Sequence, residues 1–374
     1  MRIALFALLS IAVSGCAIAT PQFAEEYGVN CSRCHSHVPK LNAFGERFAA
    51  QGYRDETLKK VKSRAVALWV SGLAQNLPAN ADDYRGIPNR VELIGAGHMG
   101  NGSYFVEWRA LSQELNANGS MRDRSGRFED IFVNLPIGDS TSVTVGQFRA
   151  MSQTDVSLRL SIAEPTLFGQ SLPGPAAQNA RLSGLRGFSP SGRSPSVRLT
   201  QFWPKGDSPV DGLYAVATVP FAGEFSVPLN SGARTNASWE FEWIAKGVFL
   251  EAYQKRGLDS IGLQGFLGSR DRRYVAAVGT LERGRWHAMG AVGRAEWNGG
   301  NDWRYLAQVE RVQSSALAFG ARIDHRQTPG AKPMLIPYIS LAGPSSHWTA
   351  KLVIEARLRE GQKPHLLAEG SLIF

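Results

Sequence analysis

The chain has 374 residues, 43% of them hydrophobic and 20% charged, a balance that excludes a disordered polymer and allows one large domain or two ordinary ones. Its formal charge of +9 is spread along the chain with no run of five or six basic residues, which argues against nucleic acid and leaves anionic lipid, lipopolysaccharide or no partner at all. Glycine (39) and tryptophan (9) are abundant, as in strand-rich proteins with tight turns and aromatic anchors.

Residues 1–19 read as an export signal. Arg2 supplies a positive start, Ile3 to Val13 an apolar run too short to span a bilayer, and Ala17-Ile18-Ala19 a cleavage site. Val13-Ser14-Gly15-Cys16 also resembles a lipoprotein box; ordinary cleavage is favoured because the downstream chain can hold itself in a membrane. Either way Cys16 pairs with nothing, and an exported chain without structural disulfides is expected.

The other two cysteines sit in "GVNCSRCHSHVPKLNAFGERF", residues 28–48. Cys31 and Cys34 allow a disulfide, half a zinc site or covalent haem. The second pair of zinc ligands is absent, and so is the βαβ pattern of a thioredoxin-like motif. The immediate His35 favours haem: two thioethers from the cysteines and a proximal imidazole from the next residue. One covalent haem c is therefore expected, with His35 on the iron. His37 is too close to reach the opposite haem face and reads as a solvated loop histidine. After Pro39, Leu41, Phe44 and Phe48 fall at i, i+3 and i+7, predicting a helix whose apolar side packs on the haem and which ends near Gly52.

From about residue 64 the period becomes two. "SYFVEWRALSQ" separates Tyr104, Val106, Trp108 and Ala110 from Glu107, Arg109 and Gln113. "SWEFEW" sets Trp239, Phe241 and Trp243 against Glu240 and Glu242. "ALAFGARIDHR" separates Leu317, Phe319, Ala321 and Ile323 from Arg322, Asp324 and Arg326. "HWTAKLVIEARLRE" alternates from Trp348 to Leu358, with Val353 the exception. Runs of about ten residues with aromatics near their ends match tilted membrane-crossing strands; soluble sandwich strands are shorter. The end, Leu366, Ala368, Gly370, Leu372 and Phe374, alternates to a terminal aromatic like an outer-membrane barrel signal.

The expected fold class is all-β: a transmembrane outer-membrane β-barrel of about sixteen antiparallel strands with a small N-terminal α-helical c-type haem segment. The expected divisions are residues 1–19 (signal), 20–62 (haem segment) and 63–374 (barrel). Residues 149–195, rich in Pro, Gly and Ser, are expected to form a long outer loop or one folded into the lumen. Inward residues of both charge signs imply a wetted or haem-containing interior.

The stretch Cys31, Cys34, His35, Pro39, Leu41-Asn42, Phe44-Gly45 and Gly52-Tyr53, followed by a barrel ending in Phe374, resembles the fused cytochrome–porin family, the outer-membrane iron oxidases of iron-oxidising bacteria. The resemblance implies outer-membrane localisation, possession of Fe(II) oxidase activity or plain electron transfer, extracellular Fe(II) or another donor, and a periplasmic carrier such as a soluble cytochrome. It places the haem segment on the periplasmic side, against the barrel mouth.

The haem segment carries no distal ligand of its own. "GAGHMGNG", residues 95–102, is expected as a turn on that side, so His98 or Met99 is a candidate. Met121 and Met151 belong to outer loops, His287 lies on a strand of unassigned facing, and an open position is an alternative. Two other functions compete: a solute porin with a redox-responsive haem plug, and a periplasmic monohaem cytochrome with a soluble all-β domain.

Overall fold

The computed structural model describes residues 22–50, 53, 59, 61, 66–77, 80–115, 120–154, 159–169, 172–173, 187–225, 239–268, 271–297, 299–344 and 349–374. The export signal with Cys16, together with Gly52 and Trp348, lies outside them.

Sixteen strands among the described residues close into one antiparallel ring. They are β1 (Ala67–Leu77), β2 (Asn80–Met99), β3 (Gly102–Leu115), β4 (Arg127–Ile137), β5 (Thr141–Arg149), β6 (Arg193–Pro204), β7 (Gly212–Phe225) and β8 (Gly247–Arg256). β9 (Asp259–Gly268), β10 (Arg273–Arg283), β11 (Trp286–Trp297), β12 (Gly300–Val312), β13 (Leu317–Gln327), β14 (Met334–Pro344), β15 (Thr349–Arg359) and β16 (His365–Ile373) complete it. Two short strands, Met121–Asp123 and Trp239–Ala245, prolong β3 and β7 beyond the ring.

The last strand closes on the first, with Leu372 opposite Val70 and the Phe374 N–H donating to the Leu68 carbonyl at 2.8 Å. Closure removes the edges that a sheet would otherwise expose, which matters most where no water can satisfy the backbone. The mouth at Phe374 is the terminal mouth. It also carries the turn at Gly100-Asn101, between β2 and β3, so strand extends through most of the stretch expected to be turn.

Alternation is inverted relative to a water-soluble sheet. Ile261, Leu263, Val275 and Ile323 face outward, more than half exposed, while Arg304, Arg322, Gln264 and Asp324 face inward and are buried. Trp203 and Trp286 stand half-exposed at the terminal end, Tyr84 and Trp303 at the other, as two aromatic girdles. Val353, the exception in its run, points inward and is buried. Among the described residues no helix is long and apolar enough to cross a membrane.

The segment between β5 and β6 turns into the lumen. Glu251 of β8 accepts from the Ser152 and Gln153 amides, each at 2.9 Å. Glu355 of β15 accepts from Ile162 and Ala163 at 2.7 and 3.0 Å, and Asp324 of β13 from Thr166 at 2.6 Å. Amides facing carboxylates make charge-assisted bonds, so the wall's inward acids hold this loop across the pore. Its Leu167 and Phe168 are fully buried, and Phe188 stacks on Phe266 with centroids 3.9 Å apart.

Candidate functional site

The N-terminal segment consists of helix α1 (Gln22–Glu26), a 3₁₀ turn at Cys31–Arg33, a hairpin pairing His35–His37 with Lys40–Leu41, and helix α2 (Ala43–Ala50). Asn30 caps the 3₁₀ turn, its side chain accepting from the Ser32 amide at 3.3 Å. In 3₁₀ geometry the side chains at i and i+3 eclipse, which brings Cys31 and Cys34 to one side of the turn. They do not form a disulfide with each other. Cys31 is buried, 3.5 Å from the Thr349 hydroxyl at the foot of β15. Burial, with Cys31 as neighbour, pushes the Cys34 thiol up to about 11.

His35 is oriented by its own hairpin: its Nδ1 donates to the Pro39 carbonyl at 2.8 Å. That contact fixes the tautomer with the proton on Nδ1 and leaves the Nε2 lone pair for a metal. Burial lowers the imidazole's pKa against the pull of the Pro39 and Lys40 carbonyls, keeping the ring neutral. Asn42 ties the turn to α2. Its side-chain amide donates to the Arg33 carbonyl at 3.1 Å, its amide oxygen accepts from Gly45 at 2.9 Å, and its backbone donates to Cys34 at 2.9 Å. A Cβ on Gly45 would lie 2.2 Å from the Cys34 carbonyl oxygen, so the helix meets the cysteine turn through bare backbone.

The expected helix starts later than the apolar spacing suggested, because Asn42 caps it. Leu41 pairs with His35 in the hairpin instead of joining the helix. Phe48 is buried in an aromatic group of the segment itself, with Tyr27 at 5.4 Å, Phe23 at 6.0 Å and Tyr53 at 6.0 Å. Phe44 stacks on Phe48 at 6.1 Å and lies 4.2 Å beneath the Arg33 guanidinium. Of the three apolar residues, Leu41 alone lines the cavity beside the hairpin.

His37 is not a solvated loop residue. It is 1% exposed, and its Nε2 meets the Ser340 hydroxyl of β14 at 2.9 Å. Burial first, then Lys351, lowers its pKa to about 4. The barrel wall buries it, which spacing within the segment does not reveal.

The whole segment sits in the terminal mouth. Lys40 pairs with Glu310 of β12 at 2.6 Å, Glu46 with Lys255 of β8, and the Gln22 side chain bonds the Ile94 carbonyl of β2. His98 serves this docking: its Nε2 meets the Tyr53 carbonyl at 2.9 Å and its Nδ1 lies 3.4 Å from Glu26. Met99, the next residue, is 52% exposed on the opposite face. Met121 is exposed at the far end, and Met151 is buried in the luminal loop.

Between the segment, the luminal loop and the wall lies a cavity of about 120 Å³. Its lining includes Lys40 and Leu41 from the hairpin, Phe168 from the loop, and His287, Met289 and Glu310 from β11 and β12. Two cysteines on one side of the turn and an oriented neutral imidazole are the donor set that a covalent haem requires.

The closed sixteen-strand ring, inverted alternation and inward-folded loop define an outer-membrane porin-type barrel. No family model matches the chain, and no curated protein matches it by sequence. Among solved structures it is similar to OprB of Pseudomonas putida at high pH, with 10% identity, a TM-score of 0.50, and 83% of this chain and 93% of that chain covered. A loop-deleted OmpT of Vibrio cholerae gives 9% identity and a TM-score of 0.46, covering 83% of this chain and 98% of that one. OccK2 of Pseudomonas aeruginosa gives 9% identity and 0.40, with 83% and 96% covered. The OprB likeness bears on the fold alone.

Proposed function

We propose that this chain is an outer-membrane barrel that carries electrons between its two mouths by way of one haem c held by Cys31, Cys34 and His35, and that it resembles the fused cytochrome–porins in this. Extracellular Fe(II) is the proposed donor and a periplasmic cytochrome the acceptor: each Fe(II) gives one electron, becomes Fe(III), and the carrier is reduced by one. The observation that carries the reading is the docking of the Cys31–His35 turn inside a mouth whose lumen is also crossed by a folded loop. A haem there supplies a one-electron couple. The chain's residues do the rest: two thiols attach it, Pro39 orients His35, and the wall excludes water.

The hydrocarbon band of such barrels is about 25 Å tall, so a group seated within a mouth can exchange with both sides more readily than one free in the periplasm. Ferric products precipitate near neutral pH, so oxidation at the outer mouth keeps solids outside. Proteoliposomes with a reducible dye inside and Fe(II) outside test the proposal. The parent should bleach the dye; equal bleaching by Cys31→Ala refutes the haem route.

A second reading, a solute porin whose haem segment acts as a redox-responsive plug, is favoured by the likeness of the fold to porins. It requires large solute flux in planar bilayers that changes with oxidation state. The loop and the N-terminal segment both lie within the lumen, which favours the electron route.

A further inference from the structure

We propose that the outer face of the barrel holds one phosphorylated, multiply acylated glycolipid of the lipid A type, seated at the far end of β13, β14 and β15. The site stands on the membrane-facing wall alone and does not depend on the haem reading.

Its floor is apolar and faces outward. Register sets Ile323 beside Leu335 and Leu335 beside Leu358, one row across three strands. Ile323 and Leu335 are exposed on the outer face. The row then stops. Arg357 pairs with His365, the first residue of β16, so the next position belongs to Pro364, which has no N–H to extend the ladder. Leu358 thus has no strand partner on that side. A groove of about 510 Å³ opens there, lined by the three apolar residues and by Pro333 and Pro364. That volume falls in the range of ~300–1,000 Å³ typical of small-ligand clefts.

Its depth fits acyl chains. Tyr305 and Trp303, both exposed, belong to the aromatic girdle of this end. Tyr305 pairs with His325 and Trp303 with Gln327, so the girdle lies beyond Ile323 along β13. At ~3.3 Å per residue the apolar row sits about 7 to 13 Å along the strand on the hydrocarbon side of the girdle. The long connections between β3 and β4, β5 and β6, and β7 and β8 all leave this mouth, and the barrel's closing ends lie at the other. Longer loops mark the outside of bacterial barrels, so the groove opens into the outer leaflet.

Charge fits the headgroup. Arg359 and Glu360 line the groove at its upper edge. Lys332 pairs with Glu360 at 3.1 Å and so joins the turn before β14 to the turn after β15. Within residues 328–333 and 359–364 the charged side chains are Lys332, Arg359, Glu360 and Lys363, an excess of cations. A guanidinium grips phosphate oxygens through paired N–H donors, and ammonium groups add point charge. Apolar row below and cationic rim above match acyl chains joined to a phosphorylated headgroup.

The test uses the full chain folded in detergent, with heat-modifiable migration on gels as the check of folding, and measures retained lipid by native mass spectrometry. The parent should retain diphosphoryl lipid A and hold its dephosphorylated form and phosphatidylglycerol several-fold more weakly. Leu335→Trp, which fills the groove, and Arg359→Glu, which reverses charge at its rim, should each lower retention several-fold. Leu267→Trp, at an exposed outward position near the far end of β9, should keep the parent's retention. A parent that retains no lipid A or holds the three lipids equally overturns the site. So does parent-like retention in Leu335→Trp and Arg359→Glu, or an equal loss in Leu267→Trp, which would mean lipid held by the whole belt of the barrel.

Discussion

Lys40 and Glu310 lie 270 residues apart in sequence and 2.6 Å apart in space, both buried where the N-terminal hairpin meets the wall. The pair makes the segment a docked part of the barrel. Removing one partner of a buried pair leaves the other charge uncompensated, at a cost of about 3–5 kcal/mol. Lys40→Ala should therefore loosen the segment without opening the ring. Chymotrypsin should cut at Phe44, Phe48 or Tyr53 in this variant while the barrel core survives. Cleavage as slow as in the parent would show that the pair does not hold the segment.

His37 predicts how docking depends on pH. The groups facing it are Lys351 of β15, Glu310 of β12, the Ser340 hydroxyl and the backbone at Ser314 and Ser315. In the undocked chain its imidazole takes a proton near the ordinary value of 6.5; in the docked chain it does so at about 4. A lowered pKa means that acid favours the undocked form. The contribution is complete above 6.5 and is lost as pH falls toward 4, reaching ~3 kcal/mol at 1.36 kcal/mol per pH unit. Cleavage of the segment should accelerate across that window in the parent. His37→Gln, which can still bond Ser340 but does not titrate there, should flatten the profile; an unchanged profile would assign the acid sensitivity elsewhere.

The barrel was legible because lipid outside and polar matter inside impose a strict period of two. Ile323 against Arg322 and Asp324 carries that signal within a few residues. The nearness of Cys31, Cys34 and His35 was legible because the turn that carries them is local in sequence. Burial of His37 was not, because Ser340 is 303 residues away. The luminal course of the loop after β5 depends on Glu251, Asp324 and Glu355, which its own Pro, Gly and Ser content does not disclose. Asn42, a helix-capping residue just before Ala43, was the available clue that Leu41 lies outside the helix.

Gly45 should behave opposite to an ordinary helical glycine. Alanine in a helix usually gains about 1 kcal/mol over glycine. Here its Cβ would meet the Cys34 carbonyl oxygen at 2.2 Å and the Leu41 side chain at 2.9 Å. The helix must back away from the cysteine turn, and overpacking of this kind costs about 1–3 kcal/mol. Gly45→Ala should lower protection of the segment from protease and, on the proposed haem reading, the haem bound per chain. Parent-like values for both would show that the contact relaxes freely.

The two obstructions in the lumen share the cavity walls, with Lys40 on one side and Phe168 on the other, so they lie in series. Glu251→Ala and Glu355→Ala each remove the acceptor for a pair of loop amides, and buried amides left unpaired cost about 1–3 kcal/mol each. Loosening the loop alone leaves the N-terminal segment across the pore, and Lys40→Ala alone leaves the loop. Conductance in planar bilayers should therefore stay low in Lys40→Ala and in the Glu251→Ala/Glu355→Ala pair, and rise several-fold when all three are combined. A large conductance in the parent, or simple additivity among the variants, would mean that ions pass around both elements and would favour the solute-porin reading.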